Sequence, residues 1–300
     1  MSGWDSVAKK EPKKVERNRR KSNKTGGEVK EVAAKPTAIA DDFFTPIADC
    51  VVSDKIKCAV YGDPGSGKSH FAASFPEPIF VIDTENRFAR LGAKYPGKDI
   101  RVMHCYMEDD EGLFDPVATL HNAEIAIARA RAACKDKAVG TIVIDSASDI
   151  WVMAQEYMKT EHLSRDRFAL VNREGWNWGI ANKRNDAVVM KALVQDCNVV
   201  VTGKAAYDEA GLSRGTWRKD VPYAADVILY LSCTQDDESE EPIYTATIEK
   251  CAENGLLQTT VHENMNYEQL YNLVNPQADH AEMAKTKTKK KAAGKSSKEE

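Results

Sequence analysis

No stretch of the sequence approaches the run of about 18 apolar residues that a membrane-crossing helix needs, so no such helix is expected. The first 40 residues are charged and have no apolar core of the kind a secretory leader carries, so none is expected. No Cys-x-x-Cys pair exists. The cysteines, Cys50, Cys58, Cys105, Cys134, Cys197, Cys233 and Cys251, are odd in number and scattered, which argues against a disulfide framework or a cysteine-built zinc site. A reducing cytoplasm, in a bacterial, archaeal or phage-infected cell, fits that usage. His70, His104, His121, His162, His262 and His280 are remote from one another, so no histidine cluster with metal spacing appears either. A guanine-recognition element is also missing, because Asn182-Lys183-Arg184-Asn185 lacks the fourth-position Asp that a GTPase would carry.

What is present begins with charge. The net charge is −4, but it is unevenly placed. Residues 1–40 hold 11 Lys and Arg against 5 Asp and Glu, and residues 284–300 hold 7 against 2, while the stretch between holds 24 against 39. An acidic body therefore stands between two basic tails. Both tails are poor in large apolar residues and cannot bury enough surface to offset the entropy of ordering, so residues 1–40 and 276–300 are read as disordered tails around a single core at 41–275. Tails of this charge attract nucleic acid or other anionic surfaces, or serve only to solubilise.

The body alternates short apolar runs with helical patterns. Strands are expected at 56–61, 78–83, 100–104, 141–145, 198–202, 226–231 and 243–249. Helices are expected at 68–74 and at about 115–135, 149–161, 178–196 and 266–274. Nearly all-apolar strands between helices indicate a mostly parallel sheet covered on both faces, and consecutive strands over 226–262 indicate an antiparallel extension. The expected fold class is three-layered α/β.

The strand at 56–61 runs into Gly62-Asp63-Pro64-Gly65-Ser66-Gly67-Lys68-Ser69, a complete G-x-x-x-x-G-K-[ST] motif with a strand before it and a helix after it. The glycines let consecutive backbone N–H groups converge on one phosphate, and the start of the helix faces the same anion. Lys68 is placed to reach the β- and γ-phosphates and Ser69 to ligate Mg²⁺, which makes ATP and Mg²⁺ the expected ligands. A phosphate loop of this kind needs a carboxylate on a neighbouring strand for the metal. Asp145, at the end of Thr141-Ile142-Val143-Ile144, is read as that group; its competing role is to cap the helix that follows. Hydrolysis also needs a group that positions and polarises water. Ser146 occupies the place after Asp145 where many NTPases carry a Glu, so Glu85, two residues beyond the strand-ending Asp83, is the candidate.

These residues resemble a family. Val81-Ile82-Asp83-Thr84-Glu85 resembles the segment of RecA-type recombinases in which a strand ends in Asp-x-Glu, and Val143-Ile144-Asp145-Ser146 resembles their Walker B strand. More closely, the chain looks like the phage and archaeal RecA-like ATP-binding proteins associated with single-strand annealing, over roughly 50–262. The resemblance implies a RecA-like ATPase core and work on single-stranded DNA in recombination, annealing or replication, with DNA-stimulated turnover. It also implies a γ-phosphate sensor at Lys204 or Thr202, and at Lys250 a cation supplied to a neighbouring subunit's nucleotide. Homo-oligomers and a single-strand-binding protein or other replication or recombination proteins are the implied partners.

Residues 204–220 read as a long polar loop in which aromatic and basic residues interleave, the combination that single-strand binding uses. Arg214, Trp217, Arg218 and Lys219 are its candidate DNA contacts, ordered by the ATP state; the competing reading tucks the Trp against the body. Residues 163–178 form a second basic and aromatic stretch. Two other functions use the same phosphate loop: a nucleotide-gated protein-binding module, and a small-molecule kinase with the 204–220 loop as its lid.

Overall fold

The computed structural model describes residues 53–163, 174–235 and 241–275, together with Thr45. The chain divides into two units, Met1–Val52 and Ser53–Glu300, and the fold below is that of the second. The readings of both tails lie outside the described residues, as does most of the 163–178 stretch.

Among the described residues, nine strands form the sheet: β1 (Lys57–Gly62), β2 (Ile79–Asp83), β3 (Ile100–His104), β4 (Thr141–Asp145), β5 (Asn198–Tyr207), β6 (Ser213–Gly215), β7 (Val227–Gln235), β8 (Pro242–Cys251) and β9 (Val261–Glu263). Their order is β3-β2-β4-β5-β1-β7-β8-β9, with β6 paired to β5 off this path. β3 through β7 along that order are parallel. β8 and β9 add the antiparallel extension. The helices are α1 (Lys68–Ala73), α2 (Pro116–Lys135), α3 (Ala147–Tyr157), α4 (Glu174–Asn185), α5 (Lys191–Leu193), α6 (Val221–Ala224) and α7 (Tyr267–Val274).

The central strands are apolar on both faces because both faces are covered. On β1, Ala59 and Tyr61 pack with Leu120 and Ile127 of α2 and Ile150 and Met153 of α3. Cys58 and Val60 point the other way, into a second core with Phe71 of α1 and Leu270 of α7. The period-two alternation of β-strand side chains thus feeds two cores from one strand. This is the three-layer, mostly parallel α/β core expected from the sequence.

Local chemistry sets the element ends. Asp115 caps α2, its carboxylate accepting from Val117 N and Ala118 N at 2.9 Å each, and Pro116 takes the first helical position, where no N–H is needed. Asn266 and Gln269 close a capping box on α7. One expectation is revised: the strand over 198–202 continues to Tyr207 and turns through a hairpin into β6, so 204–220 is not a structureless loop. No helix among the described residues is long and apolar enough to cross a membrane.

Candidate functional site

The site lies at the carboxyl side of the parallel strands, where Gly62 of β1, Thr84 and Glu85 just beyond β2, Asp145 of β4 and Lys204 of β5 line one cleft of about 720 Å³. A crevice at this edge of an open α/β sheet is the general place for a ligand. Gly62 ends β1 under tight constraint: a Cβ there would stand 2.1 Å from Leu231 O and 2.6 Å from Ser66 Oγ. Gly65 and Gly67 take φ of 83° and 87°, the left-handed region that favours glycine. These glycines curl the chain so that Lys68 folds back over its own loop. Its ammonium donates to Asp63 O at 2.8 Å, Gly62 O at 2.9 Å and Ser66 Oγ at 3.4 Å. Burial lowers the Lys68 pKa, and the Asp145, Glu85 and Asp63 carboxylates oppose that shift.

Asp145 is joined to the loop directly. Ser69 Oγ donates to its Oδ2 at 2.8 Å, and Thr202 Oγ1 donates to its Oδ1 at 2.5 Å. Burial raises its pKa, and those two hydroxyls pull the other way. One hydroxyl and one carboxylate, both hard oxygen donors, fit Mg²⁺, which is typically held by one or two carboxylates together with substrate phosphates. No group of three or more His, Cys, Asp or Glu that could hold a metal ion is found among the described residues.

Asp83, the other strand-ending carboxylate, has a different task. It is buried, and its oxygens accept from Glu85 N at 3.1 Å and Phe88 N at 2.9 Å, which turns the chain after β2. Thr84 ties the same turn to β4, donating from N and Oγ1 to Asp145 O at 2.9 and 3.1 Å and accepting from Ser146 N at 3.0 Å. The result places Glu85 in the cleft beside Lys204, Asp149 and Lys68. Burial, followed by a hydrogen bond to Asp149, raises the Glu85 pKa, and Lys204 opposes the rise.

Lys204, one of the two sensor candidates, faces the cleft. Its Nζ lies 2.6 Å from Asp149 Oδ1 and 3.0 Å from Glu85 Oε1. Its backbone is fixed by Lys204 N donating to Ser148 Oγ at 2.9 Å. Thr202 is also at the site, on the Asp145 side. Asp149 is the residue that sequence reasoning missed: it reads as a first-turn helix acid three residues after the Ser146 cap, and nothing local shows that β5 brings a lysine to it.

Three other candidates are placed elsewhere. Trp217 is 7 % exposed, buried against the glycines of the β5–β6 hairpin and edge-on to Tyr61 at 5.6 Å, so it cannot stack on a base in this conformation. Arg218 is largely buried and paired with Asp186 and Asp220. Lys250 sits on β8 opposite Ile228, three residues below the Leu231 that pairs with Gly62, and donates to Ala225 O at 2.6 Å and Pro222 O at 2.9 Å. It caps the carboxyl end of α6 and is not held out toward a neighbouring subunit. Of the DNA candidates, Arg214 and Lys219 remain exposed.

A family model described as an AAA domain matches residues 54–267. No curated protein matches the sequence. Among solved structures, the chain is similar to a KaiC-like protein from the hyperthermophilic archaeon Pyrococcus horikoshii. The likeness has 16% identity over 70% of this chain and 85% of that one, with a TM-score of 0.42.

Proposed function

The chain belongs to this AAA domain family and is a P-loop ATPase, and from that premise we propose that it hydrolyses Mg-ATP and acts on single-stranded DNA in recombination, annealing or replication. The observation that carries the hydrolytic reading is the contact between Ser69 and Asp145 at 2.8 Å, with Glu85 set in the same cleft. Ser69 and Asp145 would hold the magnesium ion, which supplies positive charge beside the phosphate oxygens. Lys68 leaves its loop carbonyls for the β- and γ-phosphates and offsets charge that develops on transfer. Glu85 orients water for in-line attack and accepts its proton, a task for which a raised carboxyl pKa is suited.

The DNA part of the reading is supported by the two basic tails and by exposed Tyr207, Arg214 and Lys219 on and beside the β5–β6 hairpin. A replication or recombination partner, further copies of this chain and a cytoplasmic setting belong to the same reading. A nucleotide-gated protein-binding module is the second reading. It is favoured by an apolar rim on the cleft, where Tyr106 and Phe114 stack at 5.2 Å and Val152 is exposed.

Steady-state ATP hydrolysis with and without single-stranded DNA tests both. Lys68→Ala and Glu85→Gln are each expected to lower kcat by about 100-fold or more, since each removes a group acting on the transferring phosphate or on water. Stimulation by DNA in the wild type supports the first reading. Turnover indifferent to DNA supports the second.

A further inference from the structure

We propose that Asp149, at the head of α3, is a positioning residue of the hydrolytic site: it holds the Lys204 ammonium in the cleft and shares it with Glu85, so that Glu85 does not pair with it alone. The inference rests on Glu85 being the group that activates water. The geometry is a chain of three charges, Asp149–Lys204–Glu85, with the ammonium nearer to Asp149 at 2.6 Å than to Glu85 at 3.0 Å. Both ends of the Asp149–Lys204 link are anchored. Asp149 Oδ2 accepts from Ser146 Oγ at 2.7 Å, and its backbone N donates to the same hydroxyl at 3.3 Å. Lys204 is fixed through the Ser148 hydroxyl, which Thr216 Oγ1 in turn contacts at 2.7 Å.

Two carboxylates therefore share one cation. With Asp149 charged, Glu85 carries only part of the ion pair and keeps its capacity to accept a proton. With Asp149 neutral, Glu85 is the one carboxylate left charged within ion-pair distance of the ammonium among the described residues. A one-to-one pair would hold Glu85 ionised and turned toward Lys204, away from water. The raised pKa of Glu85 beside Asp149 agrees with this balance.

The test is steady-state ATP hydrolysis by the full chain with Mg²⁺, for wild type, Asp149→Asn, Asp149→Ser, Asp149→Glu, Lys204→Gln, the Asp149→Asn/Lys204→Gln double variant and Glu85→Gln. Removing the charge at 149 with Asn or Ser is expected to lower kcat about tenfold, with KM for ATP within about twofold. Glu at 149 keeps the charge and restores most of the loss. In the Lys204→Gln background Asp149→Asn should add nothing, because the residue acts through that lysine. The Ser146 hydroxyl caps α3 through the backbone N–H of residue 149, which both substitutions keep, so a role confined to capping α3 would leave kcat in place. The proposal is overturned if the charge-removing variants keep kcat within about twofold, or if the loss is as large without Lys204 as with it. If Glu85→Gln keeps its turnover, the reading of Glu85 fails and this proposal fails with it. A dead Glu85→Gln beside an active Asp149→Asn overturns the proposal alone.

Discussion

At the scale of single residues, the site is governed by what stands within hydrogen-bond reach of three carboxylates. Asp145 is fixed by two hydroxyls and Asp83 by two backbone amides, whereas Glu85 has neither and stands beside the Lys204 ammonium. The Glu85 pKa is raised, and general-base action needs the ionised form. As pH falls, the ionised fraction is lost at a higher pH than for an ordinary glutamate. The acid limb of the kcat profile is therefore expected above the usual glutamate range. A limb in or below that range would remove Glu85 from the role of base.

At the scale of elements, the β5–β6 hairpin shows how packing overrides composition. Its aromatic and basic residues have the make-up of a single-strand platform, yet its tryptophan is a wedge. Cβ atoms at Gly203 and Gly215 would each stand 2.5 Å from the Trp217 ring, so the two glycines form the slot that receives it. Gly203→Ala is expected to force the ring out and to cost about 1–3 kcal/mol, the usual range for overpacking a tight site. Urea denaturation followed by tryptophan fluorescence reads both effects, and an unchanged midpoint would show that the slot gives way freely. Lys250 teaches a similar lesson: on paper it is a strand-end cation, and in the fold its ammonium is taken up by the carbonyls that close α6.

At the scale of the whole molecule, one sheet divides the apolar residues between two cores, and the cysteines report that burial. Cys58, Cys105, Cys134, Cys197 and Cys251 are buried, whereas Cys233, near the end of β7, is exposed. Burial raises the Cys105 and Cys197 thiols to about 12, far from the thiolate that alkylating reagents need. In the native protein Cys233 should therefore be labelled by iodoacetamide well before those five, which should react only on unfolding. Peptide mapping by mass spectrometry checks this, and early labelling at Cys197 would contradict the packing of α2 against the start of β5.

The sequence by itself determined whatever depends on neighbours along the chain. The parallel strands, the Asp115 cap, the curl of Gly62 through Gly67 and the place of Asp145 at a strand end are set by periodicity, by side-chain-to-backbone hydrogen bonds and by φ. Each of these acts within a few residues. Glu85 was legible for the same reason, since Asp83 positions it two residues on. Only the tertiary structure decided which polar groups face each other across elements. Asp149 meets Lys204 because β4 and β5 lie side by side, Trp217 fills a slot made by residues on either side of a hairpin, and Lys250 finds its carbonyls through the β7–β8 register. Those pairings are long-range contacts of charge and shape, and a local pattern of residues specifies neither partner nor distance.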